Sequence, residues 1–248
     1  MKTEKLYYKN PLQTSCEAVV IEKHPQGLIF DKTIAYPEGG GQVGDVGFLT
    51  RTSDNFQIPF FNTTKIKGRN IFLEDFPSIK VENLIIHHID ESFLEKIEEG
   101  DIFILEINKK NRSQNTLHHS ALHLALMALE DIKPGIDQRI VGAKITDKYG
   151  RLDFAIDYKF SPELLKTLED TCNKYIEENI PVEIYSHPKE PEALYWKCKN
   201  YSVPCGGTHC ESTGNIGVVK IKRKSIGKNS ERLIVEVPEN NNFLNYYK

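Results

Sequence analysis

Two short clusters, His119-Ser-Ala-Leu-His123 and Cys205-Gly-Gly-Thr-His209, constrain the fold of this chain more than any other feature. On a helix, side chains four residues apart share one face, so both imidazoles of the first cluster point the same way. A cysteine and a histidine four apart in a loop can supply the other two corners of a tetrahedron, and Gly206-Gly207 lets that loop turn tightly. The set therefore predicts one zinc ion per chain held by His119, His123, Cys205 and His209, with a distant helix and loop brought to a single point. Taken alone, the first cluster also fits two ordinary helical histidines. His118 is adjacent but projects about 100° away from its neighbour. Cys210 could replace Cys205 as a ligand, yet side chains next to one another in extended backbone face opposite ways.

The first hundred residues carry short apolar runs between turn residues, at 18–21, 27–30, 58–61, 70–73 and 83–86. Repeated short strands with close turns suggest a small barrel or sandwich. After a last such run at 101–107 the period changes. Apolar residues at 117, 121, 124 and 128, in a stretch free of Gly and Pro, predict a helix over 111–130. A second helix is expected from Pro162 to about Ile180, with Ser161 as its cap and Cys172 on its apolar stripe as plain core. Strands are expected at 152–156, 182–185, 217–221 and 233–237. The expected class is α+β, with a small N-terminal β-barrel over 1–107 bearing a glycine-rich loop. An α+β domain over 108–248 follows, its mixed or antiparallel sheet packed on helices.

Composition narrows the function. No segment approaches the roughly 20 apolar residues of a membrane span, and the N-terminus lacks a secretory apolar run, so a cytoplasmic, non-membrane protein is expected. Five irregularly spaced cysteines argue for reduced thiols rather than a disulfide framework. No ATP-binding motif is visible, which speaks against synthetase activity. A net charge of −3 gives no global reason to expect nucleic acid. Locally, however, Lys220, Lys222, Arg223, Lys224, Lys228 and Arg232 stand against one acid, Glu231, in an expected hairpin just after the Cys205 loop. This is the best phosphate-contact candidate, although such runs are usually a solvated face. Arg112, at the start of the first helix, is a further candidate whose plainer reading is a surface salt bridge.

In the expected first domain stands Tyr36-Pro37-Glu38-Gly39-Gly40-Gly41-Gln42, followed by Gly44-Asp45-Val46-Gly47, glycine-dense but without the Lys-Ser/Thr end of a phosphate loop. With His-Ser-Ala-Leu-His and Pro-Cys-Gly-Gly-Thr-His, in this order and spacing, it resembles the stand-alone alanyl-tRNA editing proteins of the AlaX type, in their longer form. These are related to the editing domain of alanyl-tRNA synthetase. The likeness runs from about residue 6 to residue 237. Two departures, Ala35 before Tyr36 and Cys210 after His209, touch pocket shape and leave the proposed ligands in place.

The resemblance implies ATP-independent hydrolysis of tRNA(Ala) mischarged with serine, and of the glycine ester, leaving Ala-tRNA intact. It implies zinc on the four residues above and an editing pocket around Gly39, Gly40, Gly41 and Gln42. Such an ester is already activated, so the enzyme needs a positioned water, charge stabilisation and selection. Selection is the harder task, because an apolar pocket rejects an added hydroxyl by only about a hundredfold. Groups that bond the serine hydroxyl would be left unpaired by alanine, and Thr208, Ser120 and Gln42 are the candidates for this and for catalysis. Each also fits a local turn or helix contact. Four protein ligands would leave no place for a zinc-bound water. Either the metal expands its shell, one ligand is not permanent, or zinc orients the ester. Two alternatives remain: a zinc hydrolase of another aminoacyl-tRNA or small ester, and a non-catalytic tRNA-binding module with structural zinc.

Overall fold

A computed structural model describes residues 2–239 and 241–247. The chain divides into two compact units. The first comprises residues 1–39, 43–112 and 244–248, and the second comprises 40–42 and 113–243. The tip of the glycine loop, Gly40–Gln42, thus counts with the second unit.

The main sheet of the first unit has seven strands: β1 (Ser15–His24), β2 (Gly27–Phe30), β3 (Gly47–Arg51), β4 (Gln57–Phe60), β5 (Asn62–Ile66), β6 (Leu84–His88) and β7 (Ile102–Ile107). Their hydrogen-bonded order is β4-β3-β7-β1-β2-β6-β5, antiparallel throughout. The ladder is open, so the expected closed barrel is not found among the described residues. The two end strands, β4 and β5, follow one another in the chain and are joined through Phe61 alone. Alternate residues point inward, as in β7, where Phe103, Leu105 and Ile107 are buried and Ile102, Ile104 and Glu106 are not. The inward residues join Ala18, Val20, Leu28, Phe30, Leu49, Ile58 and Phe60 in one core.

His87 sits fully buried in this unit. Its Nε2 lies 2.8 Å from the Thr33 hydroxyl and its Nδ1 3.4 Å from the Leu28 carbonyl, with Phe30 and Phe60 edge-on to the ring. Burial pushes its pKa down from an ordinary 6.5 to about 3. Between those values the unfolded chain binds a proton that the folded chain refuses. The associated stability is complete above pH 6.5 and falls by about 1.4 kcal/mol per unit as the medium is acidified. A His87→Gln variant should therefore show a flatter decline of its urea midpoint from pH 6.5 to 4.5, by about 2–3 kcal/mol. Parallel slopes for variant and parent would contradict this assignment.

The second unit has two long helices, α1 (Lys109–Ile132, in this unit from Ser113) and α2 (Pro162–Glu177). It adds strands β8 (Ile140–Ile145), β9 (Gly150–Phe154), β10 (Val182–His187), β11 (Glu190–Cys198), β12 (Tyr201–Pro204), β13 (Lys220–Gly227) and β14 (Ser230–Glu236). Two antiparallel sheets result, ordered β8-β9-β14-β13 and β10-β11-β12. The class is α+β. On α1, Leu117, Ala121, Leu124, Ala125 and Ala128 are all buried, so the helical period locates the core. On α2, the Ser161 hydroxyl accepts the Leu164 N–H at 3.2 Å, while Leu168 and Cys172 are buried. Polar clasps fix α2 to the edge strand: Asn173 exchanges two bonds with the backbone of Val219, and the Glu169 carboxylate accepts the Ile221 N–H. Strand β13 begins at Lys220, so the expected strand 217–221 starts three residues late. Gly217 takes a φ of 83°, off the extended region. Among the described residues no helix is long and apolar enough to cross a membrane.

Candidate metal centre

The two histidines of α1 lie on one face of the helix, as their spacing requires. The loop after β12 brings Cys205 and His209 to them, and one donor atom from each of the four residues falls within 4.8 Å of the others. The Cys205 Sγ stands 3.4 Å from Nε2 of His119 and 3.4 Å from Nε2 of His209. A tetrahedral zinc site with ordinary bond lengths spaces such donors about 3.5 Å apart. The Nε2 of His123 is buried and has no hydrogen-bond partner, a vacancy in polar bookkeeping that a cation would fill. Three nitrogens and one sulfur form a donor set suited to zinc. The cluster thus fits a metal ion such as zinc.

The backbone of the loop is anchored before any ion is considered. The Cys205 N–H donates to the Leu194 carbonyl at 2.8 Å, and the Cys210 N–H donates to the Ser120 hydroxyl at 2.8 Å. Gly207 must lack a side chain, since a Cβ there would lie 2.1 Å from Cε1 of His119. His119 is buried, whereas His123, Cys205 and His209 are partly open. Burial lowers all three imidazole pKa values, to about 4 for His123, so near neutral pH they are unprotonated donors. The same burial pushes the Cys205 thiol up to about 12, and a bound cation would have to displace its proton.

A chain of polar side chains orients the cluster from behind. The Oε1 of Gln42 lies 2.8 Å from Nδ1 of His119 and accepts the Thr208 N–H at 3.1 Å, while its Nε2 donates to the Thr208 hydroxyl at 3.0 Å. With Nδ1 donating to Gln42, His119 presents Nε2 to the cluster, the arrangement by which outer groups fix a ligand's tautomer. Gln42 reaches this position because the loop tip adds to the sheet edge: Gln42 bridges Ile145 of β8, and the Ile145 N–H donates to the Gly41 carbonyl at 2.8 Å. Gly41 has a φ of 84° and a Cβ there would meet the Ala143 carbonyl at 2.9 Å. Gly40 is also positive in φ, and Gly39 lies in the first unit.

The remaining candidates take different positions. Thr208 is buried and also bonds the Thr116 hydroxyl at 2.8 Å. The Ser120 hydroxyl donates to the Thr116 carbonyl and accepts the Cys210 N–H, which commits it to the scaffold. His118 bonds the Thr146 carbonyl and accepts the Val237 N–H, away from the cluster. Arg112 corrects the sequence expectation. It is wholly buried in the first unit against Asp45, so its charge is not offered to a substrate or a phosphate, nor is the pair a surface one. On the β13–β14 hairpin, Arg223 pairs with Glu231, Arg232 with Asp153, and Lys222 with Glu236. Lys220, Lys224 and Lys228 are exposed, with no ion pair seen among the described residues. Trp196 meets the cluster although the sequence reading did not single it out. Its ring stacks on His123 at 4.9 Å and 17°, and its being the single tryptophan was the available signal.

A family profile described as "Threonyl and Alanyl tRNA synthetase second additional domain" matches residues 194–234, which include Trp196, Cys205, Thr208 and His209. Whole-chain relatives extend the match. Alanine–tRNA ligase of Methanocorpusculum labreanum is 29% identical across 94% of this chain, and that of Methanoregula boonei 30% across 89%. The Saccharolobus islandicus enzyme is 31% identical across 88%. The chain is homologous to part of alanine–tRNA ligase. It spans about a quarter of the length of these relatives.

Proposed function

We propose that this chain is a trans-acting editing hydrolase of the stand-alone alanyl-tRNA editing type, which deacylates tRNA(Ala) mischarged with serine or glycine and carries one zinc ion. The observation that supports this most is the convergence of four metal donors with the Gln42–Thr208 pair at one half-open cluster, in a chain homologous to alanine–tRNA ligase. A zinc ion bound there would supply positive charge to polarise the ester carbonyl and hold it in place.

The chain's own residues divide the rest of the work. Gln42, fully buried, is a positioning residue that holds His119 by Nδ1 and Thr208 by both backbone and hydroxyl. Thr208 is the group that reads the amino acid: its hydroxyl accepts from Gln42 and Thr116, which leaves its O–H to donate, whereas Ser120 is committed on both its donor and acceptor sides. A serine hydroxyl bonded to Thr208 gains what alanine cannot offer, so the correct ester is spared. Lys220, Lys224 and Lys228 are the members of the basic hairpin left to meet phosphates.

The deciding experiment compares Ser-, Gly- and Ala-esters of tRNA(Ala) with purified protein. Ser-tRNA should be hydrolysed at least about a hundredfold faster than Ala-tRNA. Thr208→Val should lower kcat/KM for the serine ester about tenfold or more, with little change for alanine. Equal or absent turnover of all three esters would overturn the proposal.

A further inference from the structure

Away from the metal cluster, the second unit contains an open cavity of about 570 Å³ lined by Lys133, Ile136, Arg139, Asp157, Tyr158 and Asn229, among others. Its chemistry is unusual for a surface depression. Lys133 places its ammonium 4.8 Å over one face of the Tyr158 ring, and Tyr158 keeps 40% of its surface exposed. Neither Lys133 nor Arg139 has an acid partner among the described residues. The nearby carboxylate of Glu130 is spent on the N–H groups of Gly135 and Asp137. The backbone of Arg139 is pinned, since its carbonyl accepts the Ala155 N–H at 2.8 Å and its own N–H bonds Ile136. Asn229 belongs to the turn of the β13–β14 hairpin, so the cavity adjoins the strip that carries Lys224 and Lys228. Lys133 follows the end of α1, ten residues beyond His123, which places it about 15 Å along the helix from the metal cluster.

We propose that this cavity holds one nucleotide of the RNA whose ester reaches the metal cluster. Its base stacks on the exposed part of the Tyr158 ring, which Phe160 meets at 73° with centroids 6.3 Å apart, and its phosphate lies between Lys133 and Arg139. A part-exposed aromatic ring suits any base, and two cations without an ion-pair partner among the described residues suit a phosphate. Asp157 and Asn229 offer an acceptor and a donor to the base edge. The assignment rests on the editing reading, which supplies an RNA substrate with an unpaired end, but it can fail independently of it.

The test uses a fluorescently labelled, unacylated single-stranded RNA with the 3′-terminal sequence of tRNA(Ala), titrated by anisotropy against the full chain. Tyr158→Ala should weaken binding about tenfold or more, and Tyr158→Phe should restore it. Arg139→Ala and Lys133→Ala should each make the slope of log K against log salt shallower by about 0.7. Because the probe carries no ester, these results would support the pocket even if hydrolysis were absent. Normal deacylation with unchanged affinity in Tyr158→Ala and Arg139→Ala would overturn the pocket and leave the editing reading standing. Failure of the parent protein to bind the probe would also overturn it.

Discussion

Replacing Asp45 with asparagine is expected to cost the first unit about 3–5 kcal/mol, read as a lower urea midpoint with an unchanged m value. Arg112 is 0% exposed, and Asp45 is its counter-charge, taking Nε at 2.9 Å and also the terminal guanidinium nitrogen. The rest of the guanidinium donates to the Ile34 carbonyl at 2.7 Å and the Pro11 carbonyl at 3.2 Å. Asp45 in turn accepts the Tyr36 N–H at 2.7 Å, which tethers the start of the glycine loop. Asparagine can keep that last bond, so the loss measures an arginine charge left buried without its partner. A double variant, Asp45→Leu with Arg112→Met, removes both charges and should recover part of the loss. It should not reach the parent, because the bonds now made to the Tyr36 N–H and to the Ile34 and Pro11 carbonyls would be lost. A cost below about 1 kcal/mol for Asp45→Asn would mean that the guanidinium is solvated after all.

Arg112 also shows where sequence reading stops. An arginine in the first turn of a helix ordinarily faces water, and nothing local distinguishes this one. Its partner lies 67 residues away, in a glycine-rich segment whose polar residues invite a ligand-binding interpretation. Gln42 is a similar case. Its place in the loop marks it as important, but its amide is used by His119 and Thr208, 77 and 166 residues distant. By contrast, the α1 stripe and the His119/His123 face follow from the 3.6-residue period, a purely local quantity. The Cys205 loop is legible because two glycines and two metal-binding side chains lie within five residues. The open sheet of the first unit was hidden for a topological reason. Short apolar runs show that strands exist, whereas the order in which those strands pair is set by contacts distant in sequence. The strand β11, whose Trp196 faces the cluster, carries charged and polar residues among its apolar ones and gives a weak period of two.

His123→Ala is expected to reduce bound zinc from one per chain to none while leaving the second unit folded, and this pairing of results bears on what the metal does. A site closed by four protein donors is the pattern of structural zinc, which supplies folding free energy outright. Here, however, helix and loop are already joined by bonds that need no ion, Ser120 to Cys210 and Thr116 to Thr208, and the loop is held further by Gln42 at Thr208 and by the Leu194 carbonyl at Cys205. The buried Nε2 of His123 has no other partner, and its ring rests on Trp196, so truncation removes a donor without breaking that scaffold. Circular dichroism should then change little, metal analysis should read zero, and hydrolysis of the serine ester should fall at least about a hundredfold. Gln42→Leu provides the graded counterpart. It keeps all four donors but frees the His119 ring, so zinc affinity should drop about ten- to a hundredfold without vanishing. Raising the zinc concentration should restore its bound metal, which no concentration can do for His123→Ala. If chelation or His123→Ala instead unfolds the unit together with the loss of metal, the ion is structural, and the ester must be hydrolysed elsewhere or not at all.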